Sequence, residues 1–178
     1  SAWKIARMHY HPQYAGPYAE GWRSVAPLVG KVAYHYTPDQ AGTPVPRARI
    51  AAALPAAELA AGADLLLASS LVQNLVAAYG FYLDRQMHED IADLFAPDGS
   101  IEIAGTGSWS GRAGILTALR TFGDPGLDTG ELNDRPQLMP VVTVAADGRS
   151  ATLRNIEIGM TGRHGGETFW SATVQAFD

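Results

Sequence analysis

Residues 2–10 (AWKIARMHY) and 167–177 (ETFWSATVQAF) decide the reading of the fold. Both stretches are rich in β-branched and aromatic residues, the composition that a pleated, half-buried surface favours. The first reads as a closing strand in need of a partner, and the second reads as that partner. Joined tail to head they predict an antiparallel pair in which the first strand fills a slot beside the last. A chain with this order is either circularly permuted or one unit of a tandem array.

Working inward from the first strand, residues 12–46 are interrupted by Pro12, Pro17, Pro27, Pro38, Pro44 and Pro46, which excludes regular structure over most of that length. The aromatics Tyr14, Tyr18, Trp22, Tyr34 and Tyr36 favour an arm packed on a surface over a free linker. An arm of this kind is expected to bury itself against a second subunit, giving a homodimer with exchanged arms. Residues 51–70 are rich in Ala and Leu and read as helical with breaks at Pro55 and Gly62. Ser70 and Gln73 have capping-box spacing ahead of a helix whose apolar face is Leu71, Val72, Leu75, Val76, Tyr79, Tyr82 and Leu83.

A short helix is predicted from His88 to Phe95, a turn at Pro97-Asp98-Gly99, a short strand over 100–104 and a third helix from Ser110 or Gly111 through Arg120. Beyond the loop at 123–131 the pattern changes to strands. Residues 137–145 and 150–160 flank Ala146-Asp147-Gly148-Arg149, a hairpin signal, and the turn at 161–166 leads into the last strand. Helices followed by antiparallel strands give an α+β layout. The division expected is a closing strand with its arm over 1–50 and an α+β domain over 51–178.

Composition excludes several functions. The 178 residues are 47% hydrophobic and 17% charged, as in a globular domain, and no apolar run reads as a membrane span. A net charge of −5, with two lysines and scattered arginines, gives no footprint for nucleic acid. The absence of cysteine removes disulfides, thiolate nucleophiles and zinc-thiolate sites. No targeting signal is read, so a cytoplasmic location is the default expectation. Phosphate-loop, dinucleotide and nucleophile-elbow phrases are absent, and no cofactor is expected.

Residues 71–178 resemble the SnoaL-like branch of the nuclear transport factor 2-like superfamily. The resemblance is carried by AAYGFYLDRQMHEDIADLFAPDGSIEI (77–103), by the helix start Gly111 to Ile115, and by the strands through ETFWSATV. Members usually close with a strand of the form W-K-I, a phrase that here stands at Trp3-Lys4-Ile5. The resemblance therefore extends over the chain, except about residues 25–70, in permuted order. It implies a cone-shaped barrel in which a curved mixed sheet wraps around helices and encloses an apolar cavity. It also implies a hydrophobic, cyclic small molecule as ligand. Members include cyclases, dehydratases, isomerases and binding domains without activity.

Several residues are candidates for that cavity. Tyr79 looks like the oxyanion-donating tyrosine of ketosteroid isomerases, while Ile103 stands where those isomerases carry a carboxylate base; a plain core tyrosine is the alternative. Asp84 and His88, four residues apart, resemble the acid and histidine with which a scytalone-dehydratase-like protein moves a proton, or Asp84 caps the next helix. His9 is a candidate at the cavity rim, on one strand face with Trp3 and Ile5. No metal site is read.

Ionisable and amide residues inside strands are costly unless paired or facing a wet cavity, which singles out Asn133, Asp134 and Arg135 at the approach to one strand and Arg154, Asn155 and Glu157 inside the next. Arg154 and Glu157 fall on opposite faces, and Asn155 shares the face of Glu157. Trp109 and Trp170 are candidate apolar walls. The functional expectation is ligand binding with cofactor-independent proton transfer; the alternative is a binding or oligomerisation domain without catalysis.

Overall fold

The computed structural model describes residues 3–20 and 55–178. Strand β1 (Ile5–Pro17) ends in a 3-10 turn at Tyr18–Glu20. Helices α1 (Ala56–Asp84) and α2 (His88–Leu94) lead into β2 (Phe95–Ile103) and β3 (Gly107–Ser110). Helix α3 (Gly111–Leu119) continues as a 3-10 turn (Arg120–Phe122). Strands β4 (Glu131–Asp134), β5 (Gln137–Val144), β6 (Ala151–Arg163) and β7 (Thr168–Phe177) complete the sheet. Its order is β3-β2-β1-β7-β6-β4, with β5 also on β6. The sheet is mixed because β1 runs parallel to β2 and antiparallel to β7. It curves over the helices without closing among the described residues, an α+β cone.

The tail-to-head pairing is present but shifted: of residues 2–10 only Met8 to Tyr10 lie in the β7 ladder, opposite 175–177, and the rest of it is made by the residues that follow, up to Pro17 opposite Phe169. It runs further than expected, since β1 takes in Pro12 and Pro17 where an arm was predicted. The reason is positional. Pairing with β2 stops at Tyr10 opposite Ile103, so beyond that point β1 is an edge strand, where proline's missing N–H costs no ladder bond. The rest of the expected arm, residues 21–46, lies outside the described residues.

Helix α1 corrects the sequence reading. It starts just after Pro55, as a proline before the first turn favours, but passes through Gly62 and Ser70 without a break. One glycine costs a helix only about 1 kcal/mol, less than stopping and restarting it would. Val72, Val76, Tyr79 and Leu83 form the buried stripe, with Leu75 and Tyr82 partly buried. Leu71 is exposed, as are Leu59, Leu66 and Leu67 in the first turns. By length and composition alone this helix is apolar enough to cross a bilayer, which the sequence reading did not anticipate. Its C-terminal half lies against Ile5, Met8, Ile101, Leu153 and Phe177 of the sheet in a single core cluster, which Ile91, Ile115 and Leu119 complete.

The Pro97-Asp98-Gly99 turn survives as a bulge inside β2. Ile5 pairs with Phe95 and Arg7 with Ser100, so residues 96–99 bulge out opposite Ala6 alone. This slip changes the side-chain alternation of β1, so that Ile5, Met8 and Tyr10 all point inward. A Cβ at Gly99 would stand 2.9 Å from the Ala96 carbonyl oxygen and 3.0 Å from that of Ile5, both backbone atoms that cannot swing away. Gly99→Ala is therefore expected to cost about 1–3 kcal/mol of stability. Urea unfolding should show a lowered midpoint at an unchanged slope.

Candidate functional site

Glu157 is the centre of the molecule's polar interior. It lies on the inward face of β6 with no solvent exposure. Its Oε1 accepts from the Tyr10 hydroxyl at 2.7 Å and from Arg135 Nη1 at 3.0 Å. Its Oε2 accepts from Gln175 Nε2 at 2.7 Å and Gln137 Nε2 at 3.2 Å. A buried carboxylate is tolerable only with such a set of donors. These come from β1, β5, β7 and the joint between β4 and β5. Asn155, two residues back on the same face, donates from Nδ2 to Gln137 Oε1 at 2.6 Å.

The joint is held by the end of α1. The last carbonyls of a helix have no partner within it. Asn133 Nδ2 donates to the Leu83 carbonyl at 2.7 Å and to that of Asp84 at 3.3 Å. Asp84 Oδ1 in turn accepts the Arg135 backbone N–H at 2.7 Å. Arg135 Nε donates to Asn133 Oδ1 at 2.8 Å, which fixes the plane of the guanidinium. Glycines make the space: a Cβ at Gly80 would fall 2.6 Å from Gln137 Cγ, and one at Gly159 would come within 3.4 Å of Arg135 Nη1.

Burial, then the neighbouring Glu157 charge, push the Tyr10 phenol far above its ordinary value. The same two causes raise Tyr79, which is fully buried and whose hydroxyl has no hydrogen-bond partner among the described residues. Both phenols therefore keep their protons through neutral pH, and that of Tyr10 is donated to Glu157. Desolvation raises Asp84, with the Arg135 N–H opposing it. Desolvation also lowers His88, and the Arg120 charge adds to the effect.

Two cavities flank this interior. One of about 670 Å³ lies between Trp3, Val72, Val76, Ala151 and Phe177, away from the polar cluster. The other, about 650 Å³, opens at the far end of β1. Tyr10, Asn133, Arg135 and Thr173 line it together with apolar Ile103, Phe122, Leu132, Phe169 and Trp170. The Phe122 ring meets Tyr10 edge-on at 5.0 Å and lies 5.4 Å from the Arg135 guanidinium carbon. Convergent polar groups within apolar walls mark this second cavity as the candidate site.

The residues singled out in the sequence are distributed unevenly around it. Asn133 and Trp170 line the cavity, Trp170 stacking on Tyr18 at 5.5 Å. Asn155 and Tyr79 belong to the buried interior behind it. Trp109 packs over Gly107 and Gly114 beside β3 and lines neither cavity. Arg154 lies on the opposite sheet face from Glu157, as alternation required. His9 faces away from Ile5 because of the bulge in register, and its Nδ1 lies 3.5 Å from Glu102.

Asp84 and His88 make no hydrogen bond with each other. The expected cap is absent too: Met87 precedes α2, with no side-chain capping bond. Instead Asp84 anchors the Arg135 backbone, and His88 is 3% exposed with Nε2 unpartnered among the described residues. Among the described residues no cluster of His, Asp and Glu is arranged to hold a metal. Tyr10, Arg135, Gln137 and Gln175 were not read as site residues. The polar interruption of β6 at Asn155 and Glu157 was the signal that led toward them.

Residues 64–178 match the family model for the SnoaL-like domain. The chain belongs to the SnoaL-like family. Strand β1 lies outside the matched segment, yet it occupies the sheet position between β2 and β7. Among solved structures the chain is similar to a putative scytalone dehydratase from Novosphingobium aromaticivorans, with a TM-score of 0.53 and 17% identity over 66% of this chain and 75% of that one. It is also similar to an NTF2-like protein with a cystatin-like fold from the same organism, with a TM-score of 0.48 and 25% identity over 66% and 79%. The first likeness is one of fold alone. No curated protein matches the chain.

His88 gives the SnoaL-like domain a pH signature. Its folded-state pKa is below the ordinary 6.5, so on acidification the unfolded chain takes up this proton first. The contribution of neutral His88 is complete above about pH 6.5 and is lost as pH falls toward the folded value. Asp84 acts with the opposite sign, gaining stability on acidification, but in the lower carboxylate range. Between about pH 7.5 and 5.5 the urea midpoint should therefore fall, and His88→Asn should flatten that fall. An equal slope in both proteins would contradict the assignment.

Proposed function

We propose that this SnoaL-like cone holds a hydrophobic, cyclic small molecule in the cavity beside Tyr10 and moves a proton on it without a cofactor, as an isomerase, dehydratase or cyclase does. The observation that carries this reading is the Tyr10–Glu157 hydrogen bond at the cavity wall. Tyr10 lines the cavity, and its hydroxyl donates to a carboxylate that no solvent reaches. A proton leaving the ligand would pass to the Tyr10 oxygen as the Tyr10 proton passes to Glu157. Because burial disfavours a free phenolate, the two transfers must be concerted.

Tyr79 lines neither cavity, so its unpartnered hydroxyl is given no part on the ligand and Tyr79 takes the place of a core tyrosine behind the site. Asp84 acts as a positioning residue through the Arg135 backbone. A second reading, ligand binding without chemistry, is favoured by one fact: four donors already engage Glu157, which suits a structural anchor.

Proton exchange separates the two. With α-tetralone in deuterated water, the wild-type chain should catalyse deuterium uptake at the carbon beside the carbonyl above the buffer rate. Tyr10→Phe should reduce that catalysis by about 10²-fold or more while leaving the fold intact. Binding without exchange would give first place to the non-catalytic reading. Exchange that survives Tyr10→Phe would remove the relay.

A further inference from the structure

Resting on that reading, we infer that Arg135 docks the ligand through Nη2, by a carbonyl oxygen of an uncharged ring. A guanidinium carries five N–H donors in a fixed fork and accepts nothing. In Arg135, Nε is taken by Asn133 and Nη1 by Glu157, with a longer contact to the Tyr10 hydroxyl at 3.4 Å. Nη2 has no partner among the described residues, although the side chain is only 8% exposed and lines the cavity. On a side chain that lines the cavity, this nitrogen is the donor left for an acceptor that a ligand brings. The two fixed nitrogens set the direction of the third, so an incoming oxygen meets a donor that needs no rearrangement.

Charge selects the kind of oxygen. Arg135 is already compensated by Glu157 at 3.0 Å. At the rim Arg163 pairs with Glu131, and Glu167 also lines the cavity. Two cations, Arg135 and Arg163, thus stand against three carboxylates, Glu131, Glu167 and the contacting Glu157. A carboxylate or phosphate ligand meets no net positive field here, whereas a neutral carbonyl accepts a hydrogen bond and brings no charge to desolvate. The flat walls of Phe122, Phe169 and Trp170 suit a ring on which that carbonyl is carried.

The test compares three ligands of one shape by calorimetry on the whole chain: α-tetralone, the hydrocarbon tetralin, and the corresponding tetralin carboxylate. The ketone should bind about tenfold or more tighter than the hydrocarbon, and the carboxylate no tighter than the hydrocarbon. Arg135→Lys, which keeps the charge but loses the fork, should shrink the ketone's advantage to about twofold or less. Arg135→Met combined with Glu157→Gln removes both charges together and should abolish it, with circular dichroism reporting the fold. Equal binding of ketone and hydrocarbon would overturn the Arg135 assignment and leave the cavity reading standing. A preference for the carboxylate would overturn the neutral-ligand assignment. If none of the three binds, the cavity reading falls and this inference with it.

Discussion

A carboxylate with no access to water stands in the middle of a β-strand, and the arrangement around it follows from that constraint. Glu157 would be intolerable on the inner face of β6 without donors, because transfer of a bare charge out of water costs far more than one residue can recover. Four side chains answer it, from three strands of the sheet and the joint between β4 and β5. Tyr10 reaches it because β1 lies beside β7, and Gln175 because β7 lies beside β6. The central position of the first strand is thus tied to the chemistry of the interior as well as to the sheet ladder.

The same constraint explains how α1 ends. A helix terminus exposes carbonyls and a chain reversal, both poor neighbours for a precise polar cluster. Here the terminus becomes a clamp: Asn133 takes the carbonyls of Leu83 and Asp84, and Asp84 takes the Arg135 N–H. Helix and sheet are then fixed relative to each other at the residue whose guanidinium joins Glu157 to the cavity. Replacing a buried ion pair by apolar groups of similar shape is often neutral or stabilising, so stability alone gives little reason for this cluster. Its position at the wall of an apolar cavity supplies one.

Much of the architecture was legible in the sequence. The strand pair at the two ends, the helical stripe from Val72 to Leu83 and the hairpin around Gly148 follow from local periodicity and turn chemistry, which act over a few residues. The register bulge opposite Ala6 could not be read, because it depends on how β2 loops past β1. That slip put Tyr10 inward and His9 outward, reversing the sequence expectation for this strand. Asn133, Asn155 and Glu157 stood out as polar residues where strands should be apolar. Arg135 shared that mark with Asn133 and Asp134 but pointed to no role, and Gln137 and Gln175 carried none, since what these three do exists only once the strands are assembled. The Asp84–His88 spacing suggested a pair, but Asp84 accepts the Arg135 backbone N–H while His88 Nε2 has no partner among the described residues.

The central claim is that the Tyr10–Arg135–Glu157 cluster exists for a ligand and not for the fold. The direct measurement is urea unfolding together with α-tetralone binding in one triple variant, Tyr10→Phe, Arg135→Met and Glu157→Leu, which replaces the cluster by apolar groups of similar size. The account predicts a variant that folds, its stability lowered by no more than about 1–3 kcal/mol for each of the Gln137 and Gln175 amides left without their acceptor, with ligand binding lost. A variant that fails to fold, or that folds and still binds the ketone as the wild type does, would contradict it.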